Sequence, residues 1–279
     1  MGRLAKDSIN IKVTQEEPPR NNFLELSTSK LRTAPSFFIL GAQKSGTSSL
    51  FQFLVENDFV ARNKQKEIYY FNNINNFERG QKWYLSHFKL LGKKPTCDAT
   101  ANYFESKEAP NRLKSTFPNA KCVVLLRNPI DRAYSHYKMA VKYGFESLSF
   151  SEALKIEDDR LAYEREKLKS NRHRYVYQRL GYRTKGLYAD QLKIWKRTFT
   201  NDDQLLVVKS ENLFENPSNT CSKILNFLEL DSPIRASLKK INYSESTEEL
   251  SPDLRQELAA FYAPHNQELY NLVGQNYNW

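Results

Sequence analysis

Along the chain, short apolar runs alternate with stretches whose apolar residues recur at helical spacing, and loops of small residues join the two. Ser36–Leu40 (SFFIL) is a run of the kind that buried strands use. It leads into GAQKSGTSS and then LFQFLVEND, where Leu50, Phe51 and Leu54 fall on one helical face. Strand, small-residue loop and helix in that order open a βαβ unit. Lys121–Leu126 (KCVVLL) is a second buried strand, and it turns through Arg-Asn-Pro into IDRAYSHYKMAVKY, with Pro129 at a helix-start position. Gln204–Lys209 (QLLVVK) is a third, and Thr96–Ala99 a shorter one. Helices are predicted over Phe77–Phe88, Lys107–Phe117, 150–170, 186–198, 217–229 and 251–273, while 66–73 (KEIYYFNN) mixes apolar and polar positions. No internal repeat is present. Strands alternating with helices predict an α/β fold, a three-layer sandwich with a largely parallel central sheet. Residues 1–33 lack sustained periodicity and carry Pro18-Pro19, which predicts a flexible N-terminal arm ahead of a single domain over 34–279.

Composition narrows the class. The chain has 279 residues, 40% apolar and 13% aromatic, which suits a well-packed core and excludes wholesale disorder. No stretch approaches the ~18 uninterrupted apolar residues of a membrane span. Cys97, Cys122 and Cys221 make no CxxC pair and no disulfide framework. Met1–Asn21 is polar and lacks an apolar core, so no secretory leader is expected. The expectation is a soluble protein of a reducing compartment, the cytoplasm. Lys and Arg number 42 against 32 Asp and Glu, a net charge of +10 that asks for an anionic partner. Nucleic acid, a lipid surface and a phosphorylated small molecule all answer to that description.

Two loops carry the chemistry. Gly41-Ala-Gln-Lys44-Ser-Gly46-Thr47-Ser48-Ser49 lies between strand and helix, where glycines let backbone N–H groups turn inward and the helix N-terminus adds partial positive charge. It lacks the Gly-Lys-Ser/Thr ending of nucleoside-triphosphatase loops, because Thr47 follows Gly46 and the lysine is at position 44. The plainer alternative is a tight turn with Thr47 or Ser48 as a helix cap. The second element is Arg127, leaving the end of a strand, with Ser135 one to two turns into the next helix. Ligands of open α/β sheets sit beyond the carboxyl ends of the strands, where both loops lie. Taken alone, Arg127 and Arg132 read as surface or salt-bridged residues.

FILGAQKSGTSSL resembles the 5′-phosphosulfate loop, and VVLLRNPIDRAYSHY the 3′-phosphate segment, of sulfotransferases that use 3′-phosphoadenosine 5′-phosphosulfate (PAPS). The resemblance is greatest to the heparan sulfate glucosamine 3-O-sulfotransferase branch and its bacterial small-molecule relatives. It extends through KEIYYF, DATANYF, GLYADQLKIW and the ending AFYAPHNQELYNLVGQNYNW. It implies a P-loop-like nucleotide-binding architecture and sulfuryl transfer to a hydroxyl, or an amine, of a small-molecule or sugar acceptor, with 3′-phosphoadenosine 5′-phosphate (PAP) as product. By that resemblance Lys44 reaches the bridging oxygen of the leaving group, where a cation stabilises developing charge. The amides of Ser45, Gly46 and Thr47 and the hydroxyls of Thr47 and Ser48 hold the 5′-phosphate. Arg127 and Ser135 hold the 3′-phosphate. Glu67 is the general base, with pairing to Lys64 or Lys66 at the surface as its plainer alternative.

Two departures stand out. A Glu-Lys-Thr-Pro-like run of those relatives reads Asp98-Ala99-Thr100-Ala101, so its lysine is absent. Their cysteine-bracketed Lys-Gly-Arg loop is also missing; the corresponding region runs from Lys239 to Glu249, with Lys239 and Lys240 as candidate substitutes. Asp98, near a strand end, is a second candidate base. On the acceptor side His173, Tyr175 and Tyr177 lie in a basic, aromatic stretch whose rings suit stacking, with a solvated helix end as the alternative. His136, one residue past Ser135, points to another helix face and reads as structural. No histidine has metal-ligand spacing, and the donor needs no metal. The competing readings are a nucleotide kinase or other phosphotransferase, which would need Mg²⁺ and ATP, and a basic nucleic-acid-binding protein using segment 172–179. Neither has its sequence motif here.

Overall fold

The computed structural model describes residues 26–90, 92, 94–167, 175–241 and 250–279. Strand β1 (Pro35–Gly41) leads to helix α1 (Thr47–Glu56); α2 (Ile74–Phe77) and α3 (Gly80–Leu85) precede β2 (Thr96–Ala99). Then follow α4 (Ala109–Thr116), β3 (Lys121–Leu126), α5 (Pro129–Lys142), α6 (Phe150–Lys155), α7 (Glu157–Lys167) and α8 (Tyr175–Leu180). Helix α9 (Tyr188–Thr198), β4 (Leu205–Lys209), α10 (Ser210–Glu215), α11 (Pro217–Leu228) and α12 (Pro252–Val273) complete the chain.

The four strands form one sheet in the order β2-β1-β3-β4, and every pairing is parallel. Alternation along the strands splits the core into two layers. Phe38, Leu40, Cys122, Val124 and Leu126 face Leu192 and Trp195 of α9 and Leu113 of α4. Phe37, Ile39, Val123 and Leu125 face Leu50, Phe53 and Leu54 of α1 and Ile224 and Leu225 of α11. The strands are apolar on both faces because helices cover both, as the three-layer expectation requires. A third cluster, from Ile130 and Ala133 through Leu161 and Leu180 to Tyr262, packs α5–α8 against α12.

Differences from the sequence expectation have local causes. The helix expected over Phe77–Phe88 is two short ones separated near Gly80, whose φ of 80° is left-handed. The long helix expected over 150–170 is interrupted at Ile156, with φ −104° and ψ 4°. Of the arm expected over 1–33, residues 1–25 lie outside the described residues. Its end is docked: Thr33 N donates to Lys89 O at 3.0 Å, Arg32 bridges to Leu90, and Ser29 is buried. Among the described residues no helix is long and apolar enough to cross a membrane.

Candidate active site

Chain order reverses at β1, with β2 on one side and β3 on the other. The loops after β1 and β3 therefore flank a switch-point crevice, where open α/β sheets bind ligands. Glycine at 41 permits a close approach: a Cβ there would sit 2.4 Å from Ala101 O and 2.9 Å from Phe104 Cβ. The β1 loop is thus pressed against the loop that follows β2. Lys44 adopts φ 70° and Gly46 φ 90°, successive left-handed turns that curl the chain into α1. Gly46 itself caps α1 and no side chain closes the first turn, so Thr47 and Ser48 are not the helix caps of the plainer reading.

Neighbouring elements brace this loop. Arg127 Nη1 donates to Lys44 O at 3.3 Å, Ser210 Oγ to Ser45 O at 2.8 Å, and Ala42 N to Leu125 O at 2.7 Å. Arg127 O in turn accepts from Tyr188 Oη at 2.9 Å. Asn128 caps α5 by accepting from Ile130 N, and its own amide donates to Glu211 at 2.7 Å. Ser135 is half-buried on the same helix. Burial holds the Lys44 ammonium below its ordinary value, and the charges of Arg127, Lys142, Lys138 and Arg132 add to that depression. Cations thus crowd this loop, and a bound anion would relieve their repulsion.

Ser45 is buried, and its amide donates to Ala42 O at 3.1 Å inside the loop.

Glu67 is held beside the loop that follows β2. Its Oε2 accepts from Ala101 N at 2.9 Å and its Oε1 pairs with Lys66 Nζ at 2.6 Å, with 30% of the side chain exposed. The surface pairing and the anchored position therefore coexist. Asp98 is not a second base facing an acceptor: it is fully buried, and accepts from Thr100 Oγ1 at 2.7 Å and from Tyr84 and Tyr103 Oη, each at 2.9 Å. Thr100 Oγ1 accepts from Ile68 N and Tyr103 Oη from Tyr70 N, so Asp98 pins the backbone on the C-terminal side of Glu67. Burial pushes the Asp98 carboxyl up to about 6 against the pull of those hydroxyls.

Sequence reasoning missed Lys185. It is buried, with Nζ 3.0 Å from Glu105 Oε2, 2.6 Å from Gln43 Oε1 and 3.3 Å from Gln178 O. Arg132 belongs to the same region and corrects the surface expectation: it is fully buried, its Nη2 donates to Tyr182 O, and its Nε and Nη1 have no hydrogen-bond partner among the described residues. His136 is buried edge-on to Tyr182, and burial pushes its pKa well down, in line with a structural role. Tyr177 lies 5.8 Å from Lys185 Nζ, Tyr175 opens α8, and His173 lies outside the described residues. Lys239 pairs with Glu56 at 3.3 Å, whereas Lys240 sits 5.3 Å from the Phe214 ring, which abuts Gly46.

Comparison with known proteins gives the family. The sulfotransferase domain family matches residues 34–257. A membrane-associated sulfotransferase of Dictyostelium discoideum is 24% identical over 90% of this chain and 67% of its own length. A mouse heparan sulfate glucosamine 3-O-sulfotransferase is 28% identical over 89% of this chain and 74% of its own. A human bifunctional heparan sulfate N-deacetylase/N-sulfotransferase is 30% identical, but the match spans only 23% of its length. A sulfotransferase structure from Alicyclobacillus acidocaldarius superposes with a TM-score of 0.72 at 28% identity, covering 87% of this chain and 97% of that one. The chain belongs to the sulfotransferase domain family and is a PAPS-dependent sulfotransferase.

Proposed function

We propose that this enzyme moves the sulfuryl group of PAPS onto a hydroxyl, or an amine, of a small-molecule or sugar acceptor, with Lys44 and Glu67 working from opposite walls of the crevice. The observation that carries the reading is the convergence of two anion-receiving loops: Arg127 Nη1 reaches Lys44 O at 3.3 Å. The residues fit the donor. The uncapped first turn of α1, with Gly46, Thr47 and Ser48, suits a 5′-phosphate, and Arg127 with Ser135 suits a 3′-phosphate.

In the transfer, Glu67 takes the proton of the acceptor hydroxyl as its oxygen attacks sulfur. Ala101 N–H and Lys66 keep that carboxylate aimed. Lys44 neutralises the charge gathering on the oxygen that departs with PAP. Tyr177, near Lys185, is the acceptor-side ring of this reading. A diffusible acceptor fits a cytoplasmic enzyme, and part of the net charge of +10, Lys44 and Arg127, faces the donor in this reading. The relative from Dictyostelium discoideum is named membrane-associated, so cell fractionation is the check on that location.

The decisive experiment follows PAP release from PAPS against a panel of alcohols, phenols, amines and sugars, with mass spectrometry of the sulfated product. Turnover that disappears in Lys44→Ala with the fold retained supports the reading; near-normal turnover in that variant sinks it.

A further inference from the structure

A lysine buried inside a protein is costly unless it is paired, and a pair that also joins loops from distant parts of the chain has consequences for both. Lys185 is 2% exposed and Glu105 8%, and the two form an ion pair at 3.0 Å. From that position Nζ also donates to Gln43 Oε1 at 2.6 Å, in the residue next to Lys44. Glu105 lies on the loop whose Ala101 amide holds Glu67 Oε2. A third contact, to Gln178 O at 3.3 Å, secures Lys185 to α8. The other side chains bracing the donor loop, Arg127 and Ser210, reach it from the ends of β3 and β4 and give it no link to the base. Beside the backbone approach at Gly41, and among the described side-chain hydrogen bonds, Lys185 is the one that ties the lysine-bearing loop to the glutamate-bearing side.

Resting on the reading that Lys44 and Glu67 face each other across a sulfuryl group, we propose that Lys185 is a positioning residue: through Gln43 and Glu105 it clamps the donor loop to the base loop and fixes the distance between leaving-group cation and general base. In-line transfer depends on that spacing, because the attacking oxygen, sulfur and departing oxygen must lie on one line, and a displacement of about 1 Å costs on the order of 10²-fold in rate. Grip on the nucleotide comes from Arg127, Ser135 and the first turn of α1, so loss of the clamp affects turnover far more than affinity.

The test uses the full chain, with PAPS and water as acceptor for turnover and PAP for calorimetry. Gln43→Ala cuts the link to the donor loop and leaves the ion pair intact. It is expected to lower PAP release at saturating PAPS by about 10–100-fold, with PAP affinity within about threefold of the parent. Lys185→Met is expected to match it, the double variant to be no worse than the poorer single one, and Lys185→Arg to recover most of the rate. In the PAP-bound chain, hydrogen exchange is expected to rise together over amides 42–47 and 100–106 in Gln43→Ala. Unchanged turnover in Gln43→Ala, additive losses in the double variant, or faster exchange confined to one loop each overturn the clamp. A Lys185→Met chain that fails to fold leaves Gln43→Ala to decide. A parent chain that neither binds PAP nor releases it from PAPS defeats the sulfuryl-transfer reading itself, whatever the variants do.

Discussion

The two walls of the crevice are built by different means. The donor wall is local: β1 runs into a loop with left-handed turns at Lys44 and Gly46 and then into α1, and β3 runs through Arg127 into α5. Its proposed anion-binding groups are the ends of helices and the residues beside them, so each of its two loops is continuous in sequence, although Arg127 and Ser210 brace the first from 83 and 165 residues away. The base wall is assembled from afar. Glu67 is oriented by an amide 34 residues on, Asp98 receives hydroxyls from both sides in sequence, and Lys185 reaches Gln43 across 142 residues. In the proposed reading, the groups for the nucleotide sit in two continuous loops, whereas aim toward the acceptor depends on packing between distant parts of the chain.

Substitutions on the two walls should therefore fail differently. Lys44→Ala strikes the chemistry of the donor wall, and the expected loss of PAP release is about 10³-fold with an unchanged melting transition. Glu67→Gln is expected to lose about 10²-fold in rate while PAP affinity by calorimetry moves less than about twofold. A large affinity loss in that variant would erase the distinction between the walls. Asp98→Ala leaves three hydroxyls without their acceptor, so a drop of about 3 kcal/mol in denaturant-unfolding stability is expected, along with slower turnover. Arg127→Lys should lower PAP affinity about tenfold and blunt the preference for PAP over adenosine 5′-phosphate, because a lysine cannot offer the paired N–H groups of arginine.

The smallest effect concerns pH. Burial and neighbouring cations hold Lys44 below its ordinary 10.5, so in the free enzyme it loses its proton as pH rises through that depressed value. A bound anion favours the charged ammonium and lifts the value again. PAP binding above the depressed pKa should therefore take up a fraction of a proton, and affinity should fall as pH rises. Calorimetry in two buffers of different ionisation enthalpy measures this uptake, which Lys44→Met should abolish.

Much of this was legible from residues alone. SFFIL, KCVVLL and QLLVVK became β1, β3 and β4, and the helices expected over 217–229 and 251–273 appear as Pro217–Leu228 and Pro252–Val273. Short, continuous apolar runs between helical stretches suit a sheet covered on both faces. The donor cradle was legible for a related reason, since its chemistry lies in consecutive residues. Charge was read less well. Asp98, Arg132 and Lys185 resemble any other polar residue in a chain with 42 basic side chains, yet all three are buried.

By itself, the sequence determined the alternation of strand, loop and helix, the place of the two anion-receiving loops, and through their spacing the family to which the chain belongs. Only the tertiary structure decided which charges leave water and what they hold. It turned Asp98 from a candidate base into the support behind Glu67, drew the Ser45 amide into its own loop, and set Lys185 between Gln43 and Glu105. Periodicity follows from the geometry of one element, but the cost of burying a charge is met by partners supplied from elsewhere in the fold, and no local pattern specifies them.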